Sequence, residues 1–208
     1  MPLPDNPLAL TDWRRTTSEL YSTVRTASHG EEQQAWLKWR FRRDQLLKEH
    51  QQSPLSSDQR LSFHSLTYFA YDPDWRLFGT IDSAVEPRSY RVGLESDGEI
   101  NYSRIGRAYF EKDGQDLQLD LFWIEGYGGG LFVPFGDQTN GNETFGGGRY
   151  LIDTIKGVDL GFKEDQIVLD FNYGYNPSCA YHPRWICPLA PAENELQLPV
   201  RAGEKSYK

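Results

Sequence analysis

Hydrophobic positions along the chain recur at two different periods, and the change falls near residue 60. Before it, Thr11-Asp12 offers N-caps to a stretch carrying Trp13, Leu20, Tyr21 and Val24, and Ser28-His29-Gly30 supplies a stop, which predicts a first helix. From Glu31 to about His50, acids open the first turn and Lys and Arg dominate later, as the helix dipole favours. Trp36, Trp39, Arg43, Leu46, Leu47 and His50 fall on one stripe of this second helix, which Ser53-Pro54-Leu55-Ser56-Ser57 ends. Beyond it the period drops to two. Leu61, Phe63, Ser65, Thr67 and Phe69 alternate, as do Tyr90, Val92 and Leu94, then Leu117, Leu119 and Leu121, then Ile167, Leu169 and Phe171. Between these strands lie the turn signals Asp72-Pro73-Asp74, Glu86-Pro87, Asp97-Gly98 and Asp113-Gly114. Short strands, tight turns and no helical crossovers predict a mainly β fold: an antiparallel β barrel or sandwich with an N-terminal helical pair. Residues 1–60 are then a helical segment packed on the core, and residues 61–208 the β domain.

Two stretches break the pattern. Residues 126–148 hold nine of the 19 glycines around the apolar run Leu131 to Phe135. Residues 172–194 are proline-rich, contain both cysteines and show little alternation, although their aromatic content argues for order. Long irregular stretches within a compact domain are commonly functional.

The chain has 208 residues, enough to bury a core without disulfides or metals. It contains no apolar run of the ~18 residues that a membrane span requires. Met1-Pro2-Leu3-Pro4-Asp5-Asn6-Pro7 has no basic region followed by an apolar core, so no secretory signal is expected and a cytoplasmic location is. Net charge is −8, with the acid excess beyond residue 60. Such a surface repels phosphate backbones, which argues against nucleic acid as a partner.

The glycine-rich stretch lacks GxxxxGK[ST] and any GxGxxG between strand and helix, so a nucleotide loop is not expected and no cofactor is indicated. It does gather Asp137, Thr139, Asn142, Glu143, Thr144 and Arg149, which glycine lets the backbone aim inward. Cys179 and Cys187 are two thiols where a tetrahedral zinc site needs four ligands; His182 would have to be the third and Glu193 or His64 the fourth, and no paired CxxC spacing supports this. A nucleophilic Cys179 with His182 as base is a second use of the pair. Reduced thiols packed as small apolar groups are a third, and a disulfide a fourth. GxSxG and HExxH are absent. Arg43, on the apolar stripe, either points its guanidinium toward a bound anion, or buries its stem and snorkels, or pairs with an Asp.

Leu169-Asp170-Phe171-Asn172, Tyr175-Asn176-Pro177-Ser178-Cys179-Ala180-Tyr181, Cys187-Pro188-Leu189-Ala190-Pro191, Glu193-Asn194 and Ala202-Gly203-Glu204-Lys205 together resemble the signature of the prokaryotic domain-of-unknown-function 1684 family. Thr144-Phe145-Gly146-Gly147-Gly148-Arg149-Tyr150-Leu151 and Asp74-Trp75-Arg76 agree in order, and the resemblance spans roughly residues 60–205. Gly174 stands where alanine is usual. The resemblance supplies no assignment of reaction, cofactor or catalytic residue, and the cofactor is left unknown. It does weight the polar motif residues toward loops, as the lining of a ligand pocket would be.

The favoured expectation is therefore a small polar or anionic organic ligand. Arg149 is its anion partner, Asn172, Tyr175, Asn176, Tyr181, Glu193 and Asn194 supply anchors, and the glycine-rich stretch forms a wall or lid. The alternatives are a hydrolase-like enzyme, with Asp137 or Glu143 as base or Cys179 as nucleophile, and a structural module docking through its Trp-rich helices.

Overall fold

In the computed structural model, residues 6–93 and 98–207 are described; Leu94 and Asp97, assigned above to a strand and a turn, lie outside them. Helix α1 (Pro7–Arg25) begins ahead of the predicted Thr11-Asp12 cap. The Asn6 side chain accepts from the N–H groups of Leu8 and Ala9 at 3.1 and 3.2 Å, and Pro7 fills the first turn, where a missing N–H costs nothing. Helix α2 (Glu32–Glu49) buries Trp36, Trp39, Leu46 and Leu47, as the stripe predicts. A third helix, α3 (Ser57–Ser62), was not expected, and it removes Leu61 from the predicted strand. Its cause is a local capping box: the Ser56 hydroxyl accepts from the Gln59 N–H while the Gln59 side chain accepts from the Ser56 N–H. The chain from Phe63 to Phe69 is likewise not a strand. It runs extended with Phe63, Leu66, Tyr68 and Phe69 buried, and the Asp44 carboxylate takes the N–H of Leu66 at 3.0 Å.

The described strands are β1 (Arg76–Asp82), β2 (Ser89–Gly93), β3 (Glu99–Lys112), β4 (Gln115–Ile124), β5 (Gly130–Asp137), β6 (Arg149–Asp153), β7 (Phe162–Lys163), β8 (Gln166–Asp170) and β9 (Glu195–Leu196). They form one sheet in the order β6-β5-β4-β3-β1-β8-β7. β2 is paired to β3, and the short β9 lies parallel to the end of β5. Asp113 and Gly114 make the β3–β4 hairpin turn with φ of 52° and 76°, the left-handed pair that a tight Asp-Gly turn needs. A register shift between Arg104 and Gly106 bulges β3, which pairs with β2 before the bulge and with β1 after it. The bulge bends the sheet, and the result is a curled, mainly antiparallel half-barrel fronted by the helical pair.

Leu119, Phe122, Phe132, Phe135, Leu151, Ile167, Leu169 and Phe171 fill its interior and form one cluster with Tyr21, Trp36, Trp39 and Leu47 of the helices. Residues 198–206 run through the remaining opening. Phe69 N–H bonds to Gly203 O, Lys205 N–H to Thr67 O, and Glu204 N–H to Gly174 O, at 2.8–3.0 Å. Gly203 sits at φ +78°, and an added Cβ there would lie 2.6 Å from the Gly174 carbonyl oxygen, so no other residue fits the thread.

Sheet and helices are also pinned through Asp170 and Asn172. The Asn172 carbonyl accepts from Trp36 Nε1 at 2.9 Å, its side chain brackets both backbone groups of Asp72 at 2.8 and 2.9 Å, and Asp170 Oδ1 accepts from its N–H and Nδ2. Burial pushes the Asp170 carboxyl up to about 6 from 3.8, against the Asn172 hydrogen bonds and the Arg76 guanidinium 3.6 Å away. The native state thus holds this proton more tightly than the unfolded chain. The group's contribution to stability is full below about pH 4 and falls by up to about 3 kcal/mol as pH rises through about 6. Unfolding of Asp170→Asn and the parent across pH 4–7 should therefore show the variant gaining stability relative to the parent as pH rises. A difference independent of pH would place the carboxyl at its ordinary value.

Candidate functional site

Arg149 on β6 is a fully buried charge. Its Nη2 donates to Asp137 Oδ2 at 2.8 Å and to the Val200 carbonyl at 2.9 Å, and its Nη1 donates to the carbonyls of Ala202 and Glu204. Asp137 Oδ1 accepts from the N–H of Val200 at 3.0 Å and from the N–H and hydroxyl of Thr139 at 2.8 and 2.6 Å. The Thr139 hydroxyl in turn meets that of Thr144 at 2.8 Å. Burial lowers the Arg149 guanidinium from its ordinary value, and Asp137 opposes this. Arg149 and Asp137 therefore hold the C-terminal thread in place, and neither presents a face to solvent as an anion partner or a base would.

A second buried charge, Glu204, lies just beyond. Its Oε1 accepts from Asn176 Nδ2 at 3.0 Å and from the Tyr181 hydroxyl, and its Oε2 accepts from Arg43 Nη2 at 3.1 Å and the Asn176 N–H at 3.2 Å. Arg43 also donates to the Tyr181 oxygen at 3.0 Å and lies over the Tyr175 ring at 5.0 Å. Burial works against the Arg43 charge, but Tyr181 and Glu204 hold it above its ordinary value; burial and Glu204 push the Tyr181 hydroxyl up. The structure thus brings together three of the expected anchors, Tyr175, Asn176 and Tyr181, and adds Arg43.

These four residues form one wall of a cleft of about 310 Å³ between α1, α2, the turn at 155–158 and the segment 175–185. Trp13, Leu47, Ile155, Val158 and Trp185 supply apolar surface, and Arg14 and Lys156 flank it. No carboxylate is among the lining residues, although the chain carries a net charge of −8. Two cations are neutralised from behind, Arg43 by Glu204 and Lys156 by Asp153 at 3.1 Å. Arg14 is exposed and has no ion-pair partner among the described residues. Three polar atoms of the wall, Arg43 Nε, Tyr175 Oη and Asn176 Oδ1, are buried without a hydrogen-bond partner. An unpartnered buried polar group costs on the order of 1–3 kcal/mol, so three beside one cleft mark a place where a ligand or ordered water completes the bonding.

The other expected residues are placed elsewhere. Asn172 is fully buried in the pin described above. Asn194, also fully buried, accepts from the Asp120 N–H at 2.7 Å and donates to the carbonyls of Asp120 and Pro134 at 3.0 and 2.7 Å, tying β4 to β5. Glu193 pairs with Arg88, and Glu143 with Arg201 at 2.9 Å, both at the surface. Cys179 and Cys187 are free thiols, each half-buried. None of the glycine-rich residues 126–148 lines the cleft. Among the described residues, no three His, Cys, Asp or Glu side chains converge as metal ligands, and no helix is long and apolar enough to cross a membrane.

Trp13, Arg14, Lys156 and Trp185 carry no motif that would have singled them out. The available signal was Arg43 on an otherwise apolar stripe, together with an acid, Glu204, inside the Ala202-Gly203-Glu204-Lys205 motif.

The fold is a mainly antiparallel half-barrel with an N-terminal helical pair. Residues 61–205 match the family described as "Protein of unknown function (DUF1684)", and the chain belongs to that family. It is similar to an uncharacterized protein of Haloarcula marismortui known from a solution NMR structure: 34% identity, TM-score 0.59, covering 84% of this chain and 95% of that one. No curated protein matches.

Replacing Arg149 with Met leaves Asp137 buried without its cation and three carbonyls without a donor. Urea unfolding should show a loss of about 3–5 kcal/mol; a loss under 1 kcal/mol would mean the thread is held by its backbone pairing alone.

Proposed function

We propose that the protein binds a small amphipathic organic acid in the cleft between the helical pair and the 175–185 segment. What supports this reading is the composition of the cleft walls: Arg14, Arg43 and Lys156 with Trp13, Trp185 and aliphatic side chains, and no carboxylate, in an acidic protein. An oxyanion suits the cationic rim, since a charge-assisted hydrogen bond is about twice as strong as a neutral one. The apolar body of the ligand lies against Trp13, Leu47, Ile155, Val158 and Trp185. The orphaned atoms refine the ligand further. Arg43 Nε and Tyr175 Oη can donate to an oxygen, while Asn176 Oδ1 accepts, its amide held in this orientation by the Nδ2 bonds to Glu204 and Lys205. An acid that also carries a hydroxyl or N–H donor matches this set.

The site residues of this reading are Arg43, Tyr175, Asn176 and Tyr181, with Arg14 and Lys156 at the rim. Arg149 acts from behind, by fixing the thread that carries Glu204. Titration calorimetry with arylalkyl carboxylates and the matching uncharged alcohols tests the reading. The acids should bind more tightly than their alcohols, and Arg14→Glu and Lys156→Glu, both at the rim, should each weaken acid binding about tenfold, or about 1.4 kcal/mol. Equal affinity for acid and alcohol, or indifference to both charge reversals, would overturn it.

A further inference from the structure

A second cleft, of about 210 Å³, opens where the end of α1 and the start of α2 meet β1 and β8, and its residues have no part in the reading above. Asp170 and Tyr173 line it, and each keeps only 2% of its surface exposed. Oδ1 of Asp170 is taken by Asn172, but Oδ2 has no hydrogen bond among the described residues, since Arg76 Nε stops 3.6 Å away. The Tyr173 hydroxyl has none either, although its ring is fixed edge-on to that of Trp39 at 5.0 Å. Two nearly buried polar side chains with bonding capacity left open in one cleft mark a place where a ligand completes the bonding.

The cations of this cleft divide into committed and free. Arg25 donates to the Asp159 carbonyl and lies 3.7 Å from its carboxylate. Among the described residues, Lys163 has no ion-pair partner and Arg76 makes no hydrogen bond, yet both lie against the Phe78 ring, at 5.0 and 5.2 Å from its centre. Like charges held this near each other repel, and an oxyanion between them replaces the repulsion with charge-assisted hydrogen bonds. Opposite charge is supplied by Asp170 Oδ2 and by the Glu32 carboxylate, which accepts from the Gly30 N–H at 2.7 Å. An ammonium beside Asp170 stabilises the ionised form that burial disfavours. Free groups of both signs in one cleft suit a zwitterion better than a simple anion or cation. The volume lies below the roughly 300 Å³ at which sites for drug-sized ligands begin, so the ligand is small, and Val24, Leu160 and Val168 give it a short apolar surface.

We propose that this second cleft binds a free α-amino acid with a small aliphatic side chain. Its ammonium donates to Asp170 Oδ2 and Glu32, its carboxylate accepts from Arg76 and Lys163, and its side chain lies against Val24, Leu160 and Val168. The Tyr173 hydroxyl, which both donates and accepts, serves either end. Arg76 and Asp170 stand 3.6 Å apart, so an ammonium and a carboxylate carried on one carbon meet both, whereas charges far apart would leave one of the two unmet. Acylating the amine removes the cation and amidating the acid removes the anion, and each change leaves a charged wall without its partner. The ligand is therefore distinct from that of the first cleft, which needs only an acid.

Amide chemical-shift mapping of the folded protein, titrated at pH 7 with L-valine, N-acetyl-L-valine and L-valinamide, tests this. L-Valine should shift residues 24–32, 160–163 and 168–173 in a saturable way, and the acetylated and amidated forms should bind at least about tenfold more weakly. Lys163→Glu and Glu32→Gln, both at the rim, should each weaken L-valine binding about fivefold or more, and Asp170→Asn should abolish it. The rim variants keep the test open if Asp170→Asn does not fold. The proposal fails if L-valine gives no saturable shift up to about 10 mM, if the three compounds bind alike, or if both rim variants bind as the parent does. Shifts around Trp13, Leu47 and Trp185 in place of these would put the amino acid in the first cleft, overturning this proposal and leaving the organic-acid reading intact.

Discussion

One guanidinium, that of Arg149, ties two neighbouring strands to a thread 51 or more residues further along the chain. It projects from β6, is neutralised by Asp137 at the end of β5, and donates to three carbonyls of the thread at residues 200–204. Asp137 takes the N–H of the same Val200 whose carbonyl Arg149 holds, so one residue is gripped from both sides of its backbone. An isolated charge at this depth would be prohibitive, and the arrangement persists because nearly every donor on the guanidinium finds an oxygen. The thread it holds supplies Glu204, and Glu204 positions Arg43, Asn176 and Tyr181 on the cleft wall. The chemistry at the surface therefore depends on a charge that never meets it.

That dependence explains the polar motif residues. Asn172, Asn194 and Glu204 stand in irregular segments and Asp137 at the last residue of β5, places where a ligand would also be bound. Each one substitutes for a missing backbone pairing. Asn194 brackets Asp120 and reaches Pro134, Asn172 brackets Asp72, and Glu204 gathers Asn176. A half-barrel closed by irregular segments has many backbone groups without a ladder, and buried amides and carboxylates are the economical way to satisfy them.

The parts of the fold legible in the sequence are those whose stabilisation is local or periodic. The α2 stripe, the strands β4 and β8 and the Asp113-Gly114 turn appear where the pattern puts them, although burial does not alternate in these strands but runs on through 119–122 and 167–170. Where local and periodic signals competed, the local one prevailed: the Ser56–Gln59 capping box took Leu61 into a helix, and Asn6-Pro7 started α1 earlier than Thr11-Asp12 would. The candidate site was half legible. Tyr175, Asn176 and Tyr181 share a motif and share a wall. Arg149 and Asp137 share a segment too, but whether an Arg–Asp pair faces a ligand or closes on itself depends on residues 198–204, more than 45 positions away. No local pattern carries that information, and the same holds for a cleft drawn from five separate stretches of chain.

The C-terminal thread has a further consequence during synthesis. Strands β1 to β8 are complete by residue 170, yet the acceptors for Arg149 and the acid for Arg43 belong to residues 200–204. Until these leave the ribosome, Arg43 lacks its acid, and Arg149 has Asp137 but none of its three carbonyl acceptors. Contacts this distant in sequence close slowly, and exposed apolar surface in the interval invites association with other chains. The half-barrel can therefore close only after residues 200–204 are made, later than every strand on the main path of its sheet.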